Sequence, residues 1–573
     1  MTKLEHRSSA ATSGSGARTP GSARIALPSI IGIESWERFS YYGMQAIMAY
    51  YLYDTVTDGG LGLPTTTATA LMGAYGSFVY LCTIAGGWIG DRLLGAERTL
   101  LAGAWVLVFG HLALSLIPGG AGVAVGLVFV AAGSGALKTS AIMMLGRVRN
   151  PGDPRRDTDF QYFYLGIQVG GLFGPLLTGF LSVTFNYHVG FAAAAVLMII
   201  GLIHYHATRR RLSASWRPDV RASVERPTAS IGRRGALAVG LTVAAVAVAL
   251  VLLVTGGVLP LAGLPTVLLT ATMTATVIMF AQMLLDRRIS SAERGKVLAF
   301  IPMFIAAVGF WAIHNQAFGA LAVYADVRVD RIIGGWEAPA AWSQSINPVF
   351  TLLLIIPLAT LRLRLGHNPG IGVQMIGGTI FTGLALLVLV PFAGLPAGAV
   401  PLLALMATYL FITLGELHVS PVGMAASTVL APARYRTRFS ALYFLTMAVG
   451  TALAGTLSTY YDPTDATAER NYFLAVGLGV MAVAGLMALF LPRINRLVRE
   501  GEKEAANDAA QESPAATPPP GDPGPDTPPP PPGDPGPDTP PPPPGDPGPR
   551  PPPRRSTSPT PPASTPPMAP SAT

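Results

Sequence analysis

The sequence predicts an all-α protein that crosses a membrane many times. Half of its residues are hydrophobic and only 12% are charged, where a soluble domain carries about a quarter. Mean hydropathy is +0.45. Apolar runs long enough to span a bilayer recur from residue 28 to residue 491, and the Arg residues between them fall on alternate connections. The net charge of +8 would suggest nucleic acid in a soluble protein, but here it follows from basic loops on one side of a membrane, so no nucleic-acid partner is expected. The single cysteine, Cys82, lies within an apolar run, which excludes a disulfide framework and a cysteine metal site.

Residues 1–27 are rich in Ser, Gly and Ala and lack the apolar core of a cleaved signal. They are expected to form a disordered cytoplasmic lead-in. The first apolar run extends from Pro28 to Asp54. Further runs at 68–90, 99–117, 121–146, 160–184 and 187–207 complete a six-helix bundle over 28–208. Arg92 and Arg98, then Arg147, Arg149, Arg155 and Arg156, then Arg209 to Arg211 all fall on one side. The polar segment 209–235 reads as a cytoplasmic linker. Two very apolar runs, 236–256 and 264–285, read as an accessory helix hairpin spanning 236–285 and facing lipid. Runs at 297–324, 346–361, 371–393, 398–428, 438–460 and 471–491 form a second bundle over 297–495. Six, two and six spans make fourteen, with both termini cytoplasmic and the protein in the cell membrane. The tail, 501–573, repeats Pro-Pro-Pro-Pro-Pro-Gly-Asp-Pro-Gly-Pro-Asp-Thr. Such sequence cannot build a core and favours polyproline II. A solubilising tail is the plain reading, and a Pro-recognising domain is a candidate partner.

The first run carries charge near its middle. Glu34, Glu37, Arg38, Tyr41 and Gln45 recur at helical spacing and so form one stripe. A charged stripe facing lipid costs about 2.5–3.5 kcal/mol per residue on insertion scales. The stripe must therefore face protein or a water-filled cavity, either as a structural Glu–Arg pair pinning two helices or as a proton or substrate site. Lys138 lies nine residues before Arg147, ~13 Å along a helix and so deep in the membrane. Glu416 lies near the middle of the run 398–428, in the other half. Two opposite charges at similar depth suggest a pair across a central cavity; a pair within one bundle is the alternative. Asp91 and Arg92, in Gly90-Asp91-Arg92-Leu93-Leu94-Gly95, sit where they can brace neighbouring helices. The histidines lack ligand spacing, although His314 has neighbours expected to line a cavity. No Gly-Lys-Ser/Thr phosphate loop is present, so ATP hydrolysis is not the expected energy source. With no metal or nucleophile constellation, neither an enzyme nor a cofactor is expected.

The stretch Glu34-Ser35-Trp36-Glu37-Arg38-Phe39-Ser40-Tyr41-Tyr42-Gly43 resembles the first-helix signature of the proton-dependent oligopeptide transporters, a branch of the major facilitator superfamily. The resemblance extends over roughly 28–495. Phe163 to Gly170 resembles the fifth-helix signature, with Gln168 in place of the usual Asn. Gln344 to Pro348 resembles the start of the eighth helix and offers Asn347. Glu416 through Ser420-Pro421-Val422-Gly423 matches the tenth-helix pattern. Tyr80 resembles a cavity tyrosine, and Tyr443 stands where the family usually has Trp. Two departures stand together: Gln45 replaces the usual Arg and Asn315 the usual Glu, residues thought to pair across the bundles in the family.

The resemblance implies a major facilitator fold. It also implies a proton-coupled symporter of di- and tripeptides or peptide-like small molecules, driven by the proton gradient without a cofactor. Glu34, Glu37 and Arg38 would couple protons. Tyr41, Tyr42, Gln45, Tyr80, Lys138, Gln168, Asn315, Asn347, Glu416, Ser420 and Tyr443 would bind substrate. Asp91, Arg92, Lys138 and Glu416 would serve gating and structure. The losses at Gln45 and Asn315 keep a second reading open, a facilitator for another peptidic or anionic natural product, including export. A third is a non-transporting receptor or scaffold.

Overall fold

The computed structural model describes residues 21–512, apart from 150–152, 154, 217, 228–230, 365–368 and most positions within 233–255. Among the described residues the regular structure is helical, save for one short hairpin and an isolated parallel bridge between Val329 and Val400. The first half holds α1 (Gly21–Tyr53), α2 (Thr65–Ile89), α3 (Ala96–Leu116), α4 (Gly119–Leu145), α5 (Arg156–Thr184), α6 (Tyr187–Ser215) and the short α7 (Pro218–Glu225). After the accessory α8 (Leu264–Leu285), the second half holds α9 (Ser291–His314), α10 (Ala320–Val327), α11 (Ile346–Arg364), α12 (Ile371–Leu387), α13 (Leu402–Val429), α14 (Arg436–Ser458), α15 (Ala466–Leu489) and α16 (Leu491–Glu512). Among the described residues, twelve helices are long and apolar enough to cross a membrane. α1, with 33 residues, is not one of the twelve, because Glu34, Glu37 and Arg38 interrupt its apolar face.

Helix starts follow local chemistry. Ser290 and Glu293 form a reciprocal capping box at α9, and Asn186 accepts the Val189 N–H at α6. Asp465 caps α15 by accepting from the N–H groups of Thr467 and Ala468. The hairpin pairs Ile332–Ile333 with Trp336–Glu337. Gly334 and Gly335 turn it with φ of 61° and 85°, a double left-handed turn that suits glycine.

Several boundaries differ from the sequence reading. α1 begins at Gly21, so residues 21–27, expected to be disordered, are helical, with Pro28 inside the helix. α16 carries the helix to Glu512, twelve residues into the expected tail. The repeat beyond it and residues 1–20 lie outside the described residues, as does most of the run 236–256. The run 297–324 is not one helix. It breaks after His314 into a 3₁₀ turn, Asn315–Phe318, before α10 resumes. A break at membrane depth needs its backbone groups satisfied from elsewhere. Gln344 donates to the Ala317 carbonyl, and Gln316 donates to the Ala454 carbonyl at 3.3 Å while accepting from Ser458 at 2.7 Å. The break thereby ties α9 and α10 to α14.

The halves meet where side chains vanish. A Cβ on Gly73 of α2 would sit 2.2 Å from the Cα of Gly455 on α14, so two glycines let these backbones touch. Within the first half, a Cβ on Gly170 of α5 would lie 2.7 Å from the Phe39 nitrogen of α1. That contact seats the charged stripe of α1 against α5.

Candidate functional site

The α1 stripe is buried, with Arg38 3% and Glu34 1% exposed. Arg38 Nε lies 3.3 Å from Glu34 Oε1 and also contacts Glu37 Oε2. These are charge contacts rather than aligned hydrogen bonds, since the Arg38 Nε and both Glu34 oxygens find no hydrogen-bond partner. The aligned bonds run through α4: Ser134 Oγ donates to Glu37 Oε1 at 2.7 Å, and Arg38 Nη2 donates to Ser134 Oγ at 3.1 Å. The guanidinium stacks over Tyr41 and Tyr42, with its carbon 5.0 and 5.8 Å from the ring centroids.

Arg38 and Ser134 are the points at which this buried centre reaches a cavity of about 570 Å³ between the halves. Tyr41, Tyr42, Gln45, Tyr80, Lys138, Gln168, Asn315, Asn347, Glu416 and Ser420 line the same cavity. Glu34 and Glu37 lie behind Arg38 and do not. Lys138 is one helical turn beyond Ser134. The charges of Arg38, Glu34 and Glu37 act on it.

The expected ion pair between Lys138 and Glu416 is absent. They occupy one cavity, but Glu416 is held by other groups. Tyr164 donates to its Oε1 at 3.0 Å, Asn347 Nδ2 donates to its Oε2 at 3.2 Å, and His314 Nε2 lies 3.7 Å from Oε2. Gln168 in turn donates to the Tyr164 hydroxyl at 2.7 Å, so a chain of neutral donors crosses from α5 to α13. No hydrogen bond joins Gln45 to Asn315; Asn315 Nδ2 turns back to the Trp311 carbonyl at 2.8 Å.

Two further expectations are corrected. Tyr443 does not line the cavity. It is 2% exposed, its ring fills the space left by Gly423, and its hydroxyl donates to the Ser420 carbonyl at 2.6 Å. It backs the wall rather than forming it. Asp91 and Arg92 sit in a π-helical turn, Gly90–Leu94, with Arg92 exposed, and no side-chain bond from either braces a helix. The bracing there comes from Arg209 on α6, whose Nε lies 2.6 Å from Glu97 on α3, and from Arg149 paired with Asp159.

Sequence reasoning missed Ser134, Tyr164 and a latch at one end of the cavity. Ser134 had a signal, since it lies one turn before Lys138 on the same face. In the latch, Tyr53 OH donates to Asp326 Oδ2 at 2.7 Å and Tyr50 OH to the Ala322 carbonyl at 3.3 Å. Ser345 and Trp342 bond the α5 carbonyls of Leu172 and Leu176 at 2.7 and 3.0 Å. All four bonds join the two halves on the face where α1 ends.

Two helical halves around a cavity with cations on one wall and a carboxylate on the other define a membrane transport protein. Residues 97–473 match the sequence model of the POT family, and the chain belongs to that family. It is 37% identical over 471 residues to the uncharacterized transporter YclF of Bacillus subtilis, covering 81% of this chain and 93% of that one. It is 33% identical over 473 residues to a di-/tripeptide transporter of Lactococcus lactis subsp. lactis, covering 80% and 93%. A crystal structure of a peptide transporter POT in complex with sulfate superposes with a TM-score of 0.77 at 34% identity, covering 82% of this chain and 95% of that one.

Proposed function

We propose that the protein is a proton-coupled symporter of di- and tripeptides and peptide-like small molecules, working by alternating access. One observation carries the reading. The cavity presents Arg38 and Lys138 on the first-half wall and Glu416 on the second-half wall. A short peptide is a zwitterion, with its carboxylate and ammonium at opposite ends. Its size suits about 570 Å³, within the ordinary 300–1,000 Å³ of ligand sites. The di-/tripeptide transporter named above supports the same substrate class.

Glu37 is the proton acceptor in this reading. In its charged form it shares Arg38 with Glu34. Once protonated it leaves Arg38 with Glu34 alone, so the guanidinium that faces the cavity is less fully compensated and attracts a substrate carboxylate more strongly. Lys138 adds a second cation, Glu416 receives the ammonium, and Asn347 and the Gln168–Tyr164 chain orient Glu416. Tyr41, Tyr42, Tyr80 and Ser420 shape the pocket. The twelve spans, α1 and the run 236–256 make fourteen, with both termini cytoplasmic in the cell membrane. The Tyr53–Asp326 latch then closes the external side, and the cavity faces inward. The test is uptake of labelled dialanine into proteoliposomes. An inward proton gradient should drive accumulation that a protonophore abolishes. Saturable binding without flux would favour the receptor reading.

A further inference from the structure

His314 ends α9 in a corner of the cavity that it shares with Glu416. Its Nε2 lies 3.7 Å from Glu416 Oε2, an ion-pair distance too long for a hydrogen bond. Its Nδ1 is buried without a hydrogen-bond partner. The Trp311 and Phe310 rings flank it, with centroids 5.2 and 5.5 Å away. Tyr164 and Asn347 give Glu416 hydrogen bonds but no charge. Among the described residues, His314 is the one basic group within 4 Å of that carboxylate.

Other groups facing this corner do not compete. Tyr164 on α5, Tyr42 on α1 and Tyr80 on α2, and Tyr443 on α14 behind the wall, are phenols, uncharged near neutral pH. Arg38 and Lys138 belong to the opposite wall. An imidazole changes charge between about pH 5 and 8. A carboxylate in a low-dielectric cavity is stabilised by a cation, and two can serve it in turn: the imidazolium or a substrate ammonium.

We propose that His314 is a second exchangeable proton site, which neutralises Glu416 when the cavity is empty and releases its proton when a substrate ammonium takes the carboxylate. The inference rests on the peptide reading. The exchange balances: the imidazolium Nε2–H gives its proton to water, the imidazole becomes neutral, and the incoming ammonium keeps all its protons. One cation replaces another at Glu416. Acid strengthens the competitor, so ammonium binding at this corner weakens as pH falls through the titration of the pair, by roughly tenfold per pH unit at most. The site lies in the half where Asn315 removes the usual carboxylate.

The test is nuclear magnetic resonance of the full chain, labelled with ¹⁵N-histidine, in nanodiscs. The His314 signal is assigned by its loss in His314→Gln. It should show the imidazole gaining and losing a proton as the pH is varied. Its midpoint should move to lower pH in Glu416→Gln, and also in the unmutated chain on adding dialanine, but not on adding N-acetyl-dialanine, which has no ammonium. A His314 that stays neutral throughout, or a midpoint untouched by Glu416→Gln, would overturn the pair. A midpoint unmoved by dialanine in protein that does accumulate dialanine would overturn the exchange. Failure of uptake, with the Glu416 dependence intact, would sink the peptide reading and leave the pair standing.

Discussion

The α1 centre and the Glu416 corner both place carboxylates inside the membrane, yet they are built in opposite ways. Glu34 and Glu37 are sealed from the cavity and share a guanidinium on their own helix. Glu416 faces the cavity, hydrogen-bonded by a phenol and an amide that do not cancel its charge, with His314 as an exchangeable neighbour 3.7 Å away. A carboxylate with a built-in cation is insulated from cargo and responds to protons. A carboxylate whose only nearby cation is exchangeable answers to whichever cation arrives, a proton on His314 or a substrate ammonium. Division of labour between proton and substrate therefore follows from which groups surround each acid.

The sharpest way to break this comparison is Glu416→Gln. Removing the open carboxylate should weaken dialanine binding by roughly ten- to a hundredfold, since a charge-assisted bond contributes about 1.5–3 kcal/mol. N-acetyl-dialanine should lose less than about threefold. Calorimetric titration of both ligands reads the difference, and equal losses would mean that Glu416 is structural. On the opposite wall, Lys138→Gln should cost roughly tenfold for dialanine and leave dialanine amide nearly unchanged. An equal loss for the amide would remove Lys138 from carboxylate recognition.

The external latch offers a smaller effect. Tyr53→Phe removes one cross-half hydrogen bond worth about 0.5–1.5 kcal/mol, a shift of roughly two- to twelvefold toward the outward-open state. A cysteine at Ala317, which lines the cavity, in a Cys82→Ala background should then react faster with an impermeant external thiol reagent. An unchanged rate would show that the latch does not limit opening. Smallest of all should be Tyr443→Phe. It breaks a bond behind the wall, so affinity for dialanine should fall by less than about threefold.

Much of this was legible in the chain because membrane helices make a simple code. Apolar length located the spans, and the 3.6-residue period put Glu34, Glu37, Arg38, Tyr41 and Gln45 on one face. Depth along a helix placed Lys138 and Glu416 at similar heights. Height is not direction, however, and the ion pair inferred from it is not formed. Tyr443 was misplaced for a related reason: Gly423 lets its ring pack behind Ser420, and no spacing rule reports such a gap. The break after His314 lacks a proline and is held by Gln316 and Gln344, whose partners lie 138 and 27 residues away in sequence. The latch joins Tyr53 to a residue 273 positions away, beyond the reach of local pattern.

The most direct measurement compares two modes of transport in Glu37→Gln. The carboxamide imitates the protonated acid, keeps its bond with Ser134 within reach, and cannot release a proton. In proteoliposomes, counterflow exchange of labelled dialanine under equal pH should persist within about threefold of the unmutated protein, whereas accumulation driven by an inward proton gradient should vanish. Gradient-driven accumulation at full strength in Glu37→Gln would contradict the account and move the proton switch out of the α1 centre.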